Sequence, residues 1–182
     1  QKAYLPEGKE CWNSLQTNGT LMDEDWCRFL KENRFDVGLS IDGTREIHDR
    51  YRPGAGGKST YDQARRAVEM LKEHGVFPDL LCTVTRETAS AGAEVYRTLK
   101  ALGTGWIQFI PIVVRQQESL SPESVTPEAY GEFLRDVFFA WFYHDLGKTN
   151  IQMFAEISAV LAGGEPTLCW MAPVCGTALV AE

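Results

Sequence analysis

The chain has 182 residues, enough for one domain that buries roughly 70% of its extended surface. Its net charge of −7 and pI near 5.1 argue against a nucleic-acid-binding face, which needs a basic patch for phosphates. No stretch approaches the roughly 20 apolar residues that span a bilayer and no secretory leader opens the chain, so the sequence reads as a soluble cytoplasmic protein with no membrane partner.

In chain order, Cys11 to Thr17 makes a weak strand that ends at the Asn18-Gly19 turn. Asp23 then caps a helix with Trp26, Phe29 and Leu30 on one face. The central run, Phe35-Asp36-Val37-Gly38-Leu39-Ser40-Ile41-Asp42-Gly43, is apolar until it ends in a hydroxyl, a carboxylate and a glycine. That is how a buried parallel strand meets its C-terminal loop, the place where α/β folds put their chemistry. Residues 44–59 form a long connection with Glu46, His48, Asp49, Arg50, Arg52 and a glycine-rich piece, which marks a functional loop. A helix over 60–74, a strand over 80–85, a helix over 90–102 and a strand over 106–112 follow. Residues 115–126 read as unstructured, and Thr126-Pro127 opens the longest helix, whose stripe of Tyr130, Phe133, Leu134, Val137, Phe138 and Trp141 reads as core. An extended piece over 151–154, a helix over 155–161 and a tail with Cys169 and Cys175 complete the chain. Strand-then-helix repetition predicts an α/β fold with a mostly parallel sheet and outer helices.

Several side chains carry candidate chemistry. Asp42-Gly43 can be a simple turn with Ser40 satisfied by backbone, or Ser40 can offer its hydroxyl to a ligand over the strand ends. His48 and Arg52 share a face if their segment is helical, and a guanidinium suits a carboxylate or phosphate. Gly57-Lys58-Ser59 fails as a Walker loop because Arg52 stands where its first glycine belongs. The five cysteines are an odd number in a chain with an adequate core, which argues against a disulfide scaffold; Cys27 and Cys82 read as core thiols. Cys169 and Cys175, in a loop with Pro166, Pro173 and Gly176, are half of a four-ligand metal site at most.

Ser14-Leu15-Gln16-Thr17-Asn18-Gly19-Thr20-Leu21, Val37 to Gly43 with Ile47-His48-Asp49 and Arg52, Ile107-Gln108-Phe109-Ile110-Pro111 and the Cys169/Cys175 pair together resemble the anaerobic sulfatase-maturating enzymes. These are radical S-adenosylmethionine proteins with a C-terminal auxiliary iron–sulfur domain. The resemblance implies a partial (β/α)6 TIM-like barrel that lacks its first strands here, over residues 1–164, and the start of a SPASM-type auxiliary domain over 165–182. It implies S-adenosylmethionine and [4Fe–4S] clusters in the parent protein, a 5′-deoxyadenosyl radical, and oxidation of a sulfatase cysteine or serine to formylglycine. By motif, Ser40 and Arg52 hold the methionine carboxylate, Val113 contacts adenine, and Cys169 and Cys175 ligate the first auxiliary cluster. The CxxxCxxC triplet, the Gly-Gly-Glu stretch that follows the second strand in the family, and the family's proton-acceptor aspartate have no counterpart at their places here, so the chain resembles an inactive internal fragment. Competing readings are an aldolase or hydrolase on a (β/α)8 barrel and a non-catalytic protein-binding module. An inner face exposing Leu39, Ile41, Leu81 and Ile107 or Phe109, beside an unpaired edge at 12–17, further predicts self-association.

Overall fold

The computed structural model describes residue 8 and residues 10–117, 119–168 and 171–173. In chain order they form β1 (Asn13–Thr17), α1 (Glu24–Glu32), β2 (Phe35–Ser40), α2 (Arg45–Tyr51), α3 (Tyr61–Glu73), β3 (Asp79–Val84) and α4 (Gly92–Lys100). Then come β4 (Trp106–Pro111), β5 (Arg115–Gln116), β6 (Ser119–Leu120), α5 (Pro127–Asp145), β7 (Asn150–Ile151) and α6 (Gln152–Leu161). The main sheet is parallel throughout, in the sequential order β1-β2-β3-β4-β7. Sequential order with one-handed crossovers puts the connecting helices on a single face.

Local chemistry sets the boundaries. The Asp23 carboxylate accepts the Trp26 N–H at 2.8 Å to start α1, and the Thr126 hydroxyl accepts the Ala129 N–H at 3.2 Å to start α5 behind Pro127. Gly19 (φ 74°) turns the chain after β1 where a Cβ would sit 2.9 Å from Ala67, so the turn packs directly on α3. Among the described residues no helix is long and apolar enough to cross a membrane.

Alternation along the strands separates two faces. Val37, Leu39, Leu80, Cys82, Val84, Ile107 and Phe109 are buried with α3, α4 and α5 residues such as Val68, Tyr96, Leu99 and Phe133. The opposite face carries Gln16, Ser40, Thr83 and Gln108, all at least partly accessible, with Leu81 buried among them. Leu39, Ile41, Ile107 and Phe109 therefore do not meet water, and the self-association expected from them loses its apolar basis. Of the set expected on the open face, Leu81 does lie there, paired across from Ser40 and Gln108, whereas Leu39, Ile107 and Phe109 belong to the helix-covered face.

Two element expectations are also corrected. The extended piece at 151–154 is only the two-residue β7, because α6 begins at Gln152 and turns Phe154 toward Trp141, ring centroids 5.4 Å apart. Arg115–Gln116 and Ser119–Leu120 are not structureless but pair antiparallel as β5 and β6, closed by the Ser121 N–H donating to the Val114 carbonyl at 2.8 Å. On α5, Phe133, Val137 and Trp141 are core as expected, whereas Phe138 is 36% exposed.

Candidate functional site

The β2–β3 ladder closes at its C-terminal end with the Ile41 N–H donating to the Leu81 carbonyl at 3.0 Å. One step further a side chain takes over: Asp42 Oδ1 accepts the Thr83 N–H at 2.8 Å, replacing the backbone carbonyl that a continuing strand would supply. The strands part there, and Gly43 (φ 65°) reverses the chain against Val95 of α4, whose methyl would lie 2.9 Å from any Cβ. Ser40 precedes this point on the open face. Its hydroxyl is half-buried and makes no hydrogen bond among the described residues.

Asp42 is 1% exposed, and its partner is Arg52 at 27% side-chain exposure. Arg52 Nε donates to Oδ2 at 2.6 Å and Nη2 to Oδ1 at 3.3 Å, while Nη1 has no partner among the described residues. A guanidinium held by one edge keeps its other edge for a second anion. Arg52 reaches this place because α2 is helical, as its spacing from His48 required: Arg52 N–H donates to the His48 carbonyl at 2.8 Å to close the last turn. A cleft of about 470 Å³ opens beside Arg52, with Asn18, Thr20 and Gln63 on its walls. One of about 430 Å³ lies at the opposite end of the strands, between Trp12, Phe35 and Phe77, remote from these polar groups.

His48 is 1% exposed. Its Nδ1 accepts the Asp42 N–H at 3.2 Å, and its Nε2 lies 3.1 Å from the Thr60 hydroxyl. Burial, the largest influence, pushes the imidazole below its ordinary value of 6.5; Asp42 and Asp49 oppose this and Arg52 adds to it. A depressed histidine stabilises the fold above its unfolded value, and that contribution is lost as pH falls below about 6.5. Stability from urea unfolding is expected to decline as pH is lowered below about 6.5 in the wild type, with Tyr61, Asp42, Asp49 and Arg52 around the ring, and the decline is expected to flatten in His48→Gln. A slope unchanged by the substitution would contradict the assignment.

At the rim beyond β4, the Ile112 N–H donates to the Val84 carbonyl at 2.9 Å and the Val125 N–H to the Ile112 carbonyl at 2.9 Å. Val113 follows, 60% exposed, with neither its N–H nor its carbonyl hydrogen-bonded among the described residues. Ser40, Arg52 and Val113 thus all stand at the C-terminal rim of the sheet. β2 and β4 are two strand spacings apart, about 10 Å. Thr85 at the end of β3 is buried and bonded to Thr88, the Thr85 N–H donating to Oγ1 at 2.8 Å, so that strand end offers no acid or base.

Cys169 and Cys175 lie outside the described residues. The approach to Cys169 is held by Glu156 of α6, whose carboxylate accepts the Leu168 N–H at 2.8 Å and the Thr167 hydroxyl at 2.7 Å. These bonds, led by the Leu168 N–H, hold the carboxyl below its ordinary value. Among the described residues no group of three or more His, Cys, Asp or Glu is placed to hold a metal. Cys27 and Cys82 are buried as expected, and burial pushes both thiols up.

Asp42 and Thr60 are the members that sequence reasoning missed. The sequence leaves Asp42-Gly43 open as a simple turn and gives Asp42 no partner; the signal for its role is a carboxylate standing where an apolar strand stops, with an arginine ten residues on.

A parallel sheet wound in one direction, with helices on one face and, at the C-terminal rim of the other, polar groups left unbonded among the described residues, defines a barrel-type α/β scaffold. Residues 2–99, more than half of the chain, match the profile of the radical SAM superfamily. The chain belongs to that superfamily, and within it matches the anaerobic sulfatase-maturating enzymes over part of their length. It is 36% identical over 198 residues to the serine-type anaerobic sulfatase-maturating enzyme of Bacteroides thetaiotaomicron, covering 100% of this chain and 48% of the relative. Identity to the cysteine-type enzyme of Clostridium perfringens (strain 13 / Type A) is 34% over 186 residues, covering 100% of this chain and 50% of the relative. The solved structure of native anSMEcpe with bound AdoMet and Kp18Cys peptide superposes with a TM-score of 0.81 at 35% identity, covering 93% of this chain and 48% of that one. The chain spans about half the length of the curated relatives it matches.

Proposed function

We propose that the chain is the S-adenosylmethionine-facing part of an oxidoreductase that converts a sulfatase cysteine or serine to formylglycine. The observation that carries this is the Arg52 guanidinium, fixed by one edge to buried Asp42 with Nη1 unpartnered among the described residues, at the same strand end as Ser40, whose hydroxyl two residues before Asp42 is likewise unbonded among them. Those two groups suit the methionine carboxylate, and the unbonded backbone of Val113 suits the edge of adenine. When bound at a reduced [4Fe–4S] cluster, S-adenosylmethionine supplies the radical that takes a hydrogen from the substrate Cβ. Arg52 and Ser40 contribute binding and orientation, and neither is an acid or base in the step.

Residues 1–164 then belong to the barrel, and 165–182 begin an auxiliary SPASM-type domain in which Cys169 and Cys175 supply two ligands of the first auxiliary cluster. The chain contains no CxxxCxxC triplet, so alone it is proposed to be inactive. A cytoplasmic location goes with this reading, because thiols and iron–sulfur ligands persist in a reducing compartment.

The test uses the full-length protein with reconstituted clusters, S-adenosylmethionine, a reductant and paired sulfatase peptides that carry cysteine or serine at the modified position. Mass spectrometry is expected to find the aldehyde in at least one peptide. Cleavage of S-adenosylmethionine with no aldehyde in either would overturn the substrate assignment.

A further inference from the structure

We infer that Thr60 and His48 are positioning residues for Arg52, bracing its backbone as Asp42 braces its guanidinium. The inference rests on the reading that Arg52 receives the carboxylate of S-adenosylmethionine. Thr60 occupies the N-cap of α3, where a threonine hydroxyl ordinarily accepts an N–H of its own helix, yet it makes no such bond. Its hydroxyl donates instead to the Arg52 carbonyl at 2.6 Å.

The cap is supplied from elsewhere. Asp49 Oδ1 accepts the Thr60 N–H at 3.0 Å and the Tyr61 N–H at 3.1 Å. Burial disfavours the Asp49 carboxylate, but hydrogen bonds from Ser59, Tyr61 and Thr60 outweigh it and hold the carboxyl below its ordinary value. Asp49 therefore releases the Thr60 hydroxyl for Arg52.

His48 closes the ring. The Asp42 N–H can only donate, so Nδ1 accepts and the ring proton sits on Nε2. Nε2–H then donates to Thr60 Oγ1 at 3.1 Å, and Thr60 passes its own proton toward the Arg52 carbonyl. Asp42 returns the circuit through its carboxylate to Nε and Nη2. Arg52 is thus held at both ends, by main chain through His48 and Thr60 and by side chain through Asp42, with His48 and Asp42 each 1% exposed and Thr60 9%. A long arginine with free rotamers loses entropy when it meets a ligand, and a pre-ordered one loses less, so the brace acts through affinity for whatever Arg52 binds.

The test is an equilibrium titration of the full-length, cluster-loaded protein with two probes, S-adenosylmethionine and its decarboxylated analogue, which keeps the adenosine and the amine. Thr60→Val keeps the shape and removes the hydroxyl, Thr60→Ser keeps the hydroxyl, and His48→Gln removes the Nδ1 acceptor. Thr60→Val and His48→Gln are expected to weaken S-adenosylmethionine roughly fivefold to tenfold more than the analogue, and Thr60→Ser is expected to match the wild type. A general loosening of the fold would weaken both probes alike, and that result overturns the inference, as does unaltered affinity for both. Arg52→Lys separates the two levels of the argument. If it weakens both probes equally, the reading of Arg52 as the carboxylate residue fails and the brace fails with it. If it weakens only S-adenosylmethionine while Thr60→Val and His48→Gln do not, the brace alone is wrong.

Discussion

Arg52→Ala is expected to destabilise the protein by about 3–5 kcal/mol, because it strands a carboxylate inside the fold. Asp42 is 1% exposed and cannot turn to water, since Oδ1 is also committed to the Thr83 N–H that ends the β2–β3 ladder. The reverse change, Asp42→Asn, leaves Arg52 at 27% side-chain exposure, from which it can reach solvent, and an amide oxygen can still accept the Thr83 N–H. Its effect is therefore expected to be smaller, about 1–2 kcal/mol. Combining the two removes the stranded charge, so the double variant is expected to be more stable than Arg52→Ala alone. Urea unfolding midpoints at constant m-value measure all three. Arg52→Ala within about 0.5 kcal/mol of wild type would show that the pair does not support the fold.

What was legible in the sequence follows from what sequence periodicity encodes. Runs such as Val37 to Ile41 and Leu80 to Val84 declare strands because the face packed on the helices needs an apolar residue at every second position. The helices declare themselves by spacing and by caps such as Asp23 and Thr126. Which face of the sheet is covered is a property of chain winding, and Leu39 and Phe109 were placed on the wrong side for that reason. Gln16, Ser40, Thr83 and Gln108 held the answer, since their alternation with the apolar set marks the open face. The β5–β6 pair escaped because Ser124, which holds it through Val114, acts across ten residues with no period.

Ser40 and Arg52 were legible as chemistry because hydroxyl and guanidinium stand where apolar patterns stop. Their environment was not. Asp42, Asp49 and Thr60 meet around Arg52 and His48 only because α2 folds back toward the start of α3, and the 44–59 connection carries too short a helix for its periodicity to fix that path. Resemblance named Val113 from the residues beside it; the unbonded peptide groups that make it a candidate are visible only in three dimensions.

Arg52→Lys in the full-length, cluster-loaded protein tests the central claim most directly, that this rim binds S-adenosylmethionine through its carboxylate. Arginine can hold Asp42 with Nε and Nη2 and still present Nη1 to a ligand, a division that one compact ammonium cannot reproduce. The lysine variant keeps a positive charge to pair with Asp42, so the fold is retained while the fork is lost. Titration is expected to show S-adenosylmethionine affinity reduced roughly 30- to 100-fold. Affinity within about twofold of wild type would contradict the account and move the carboxylate site away from Arg52.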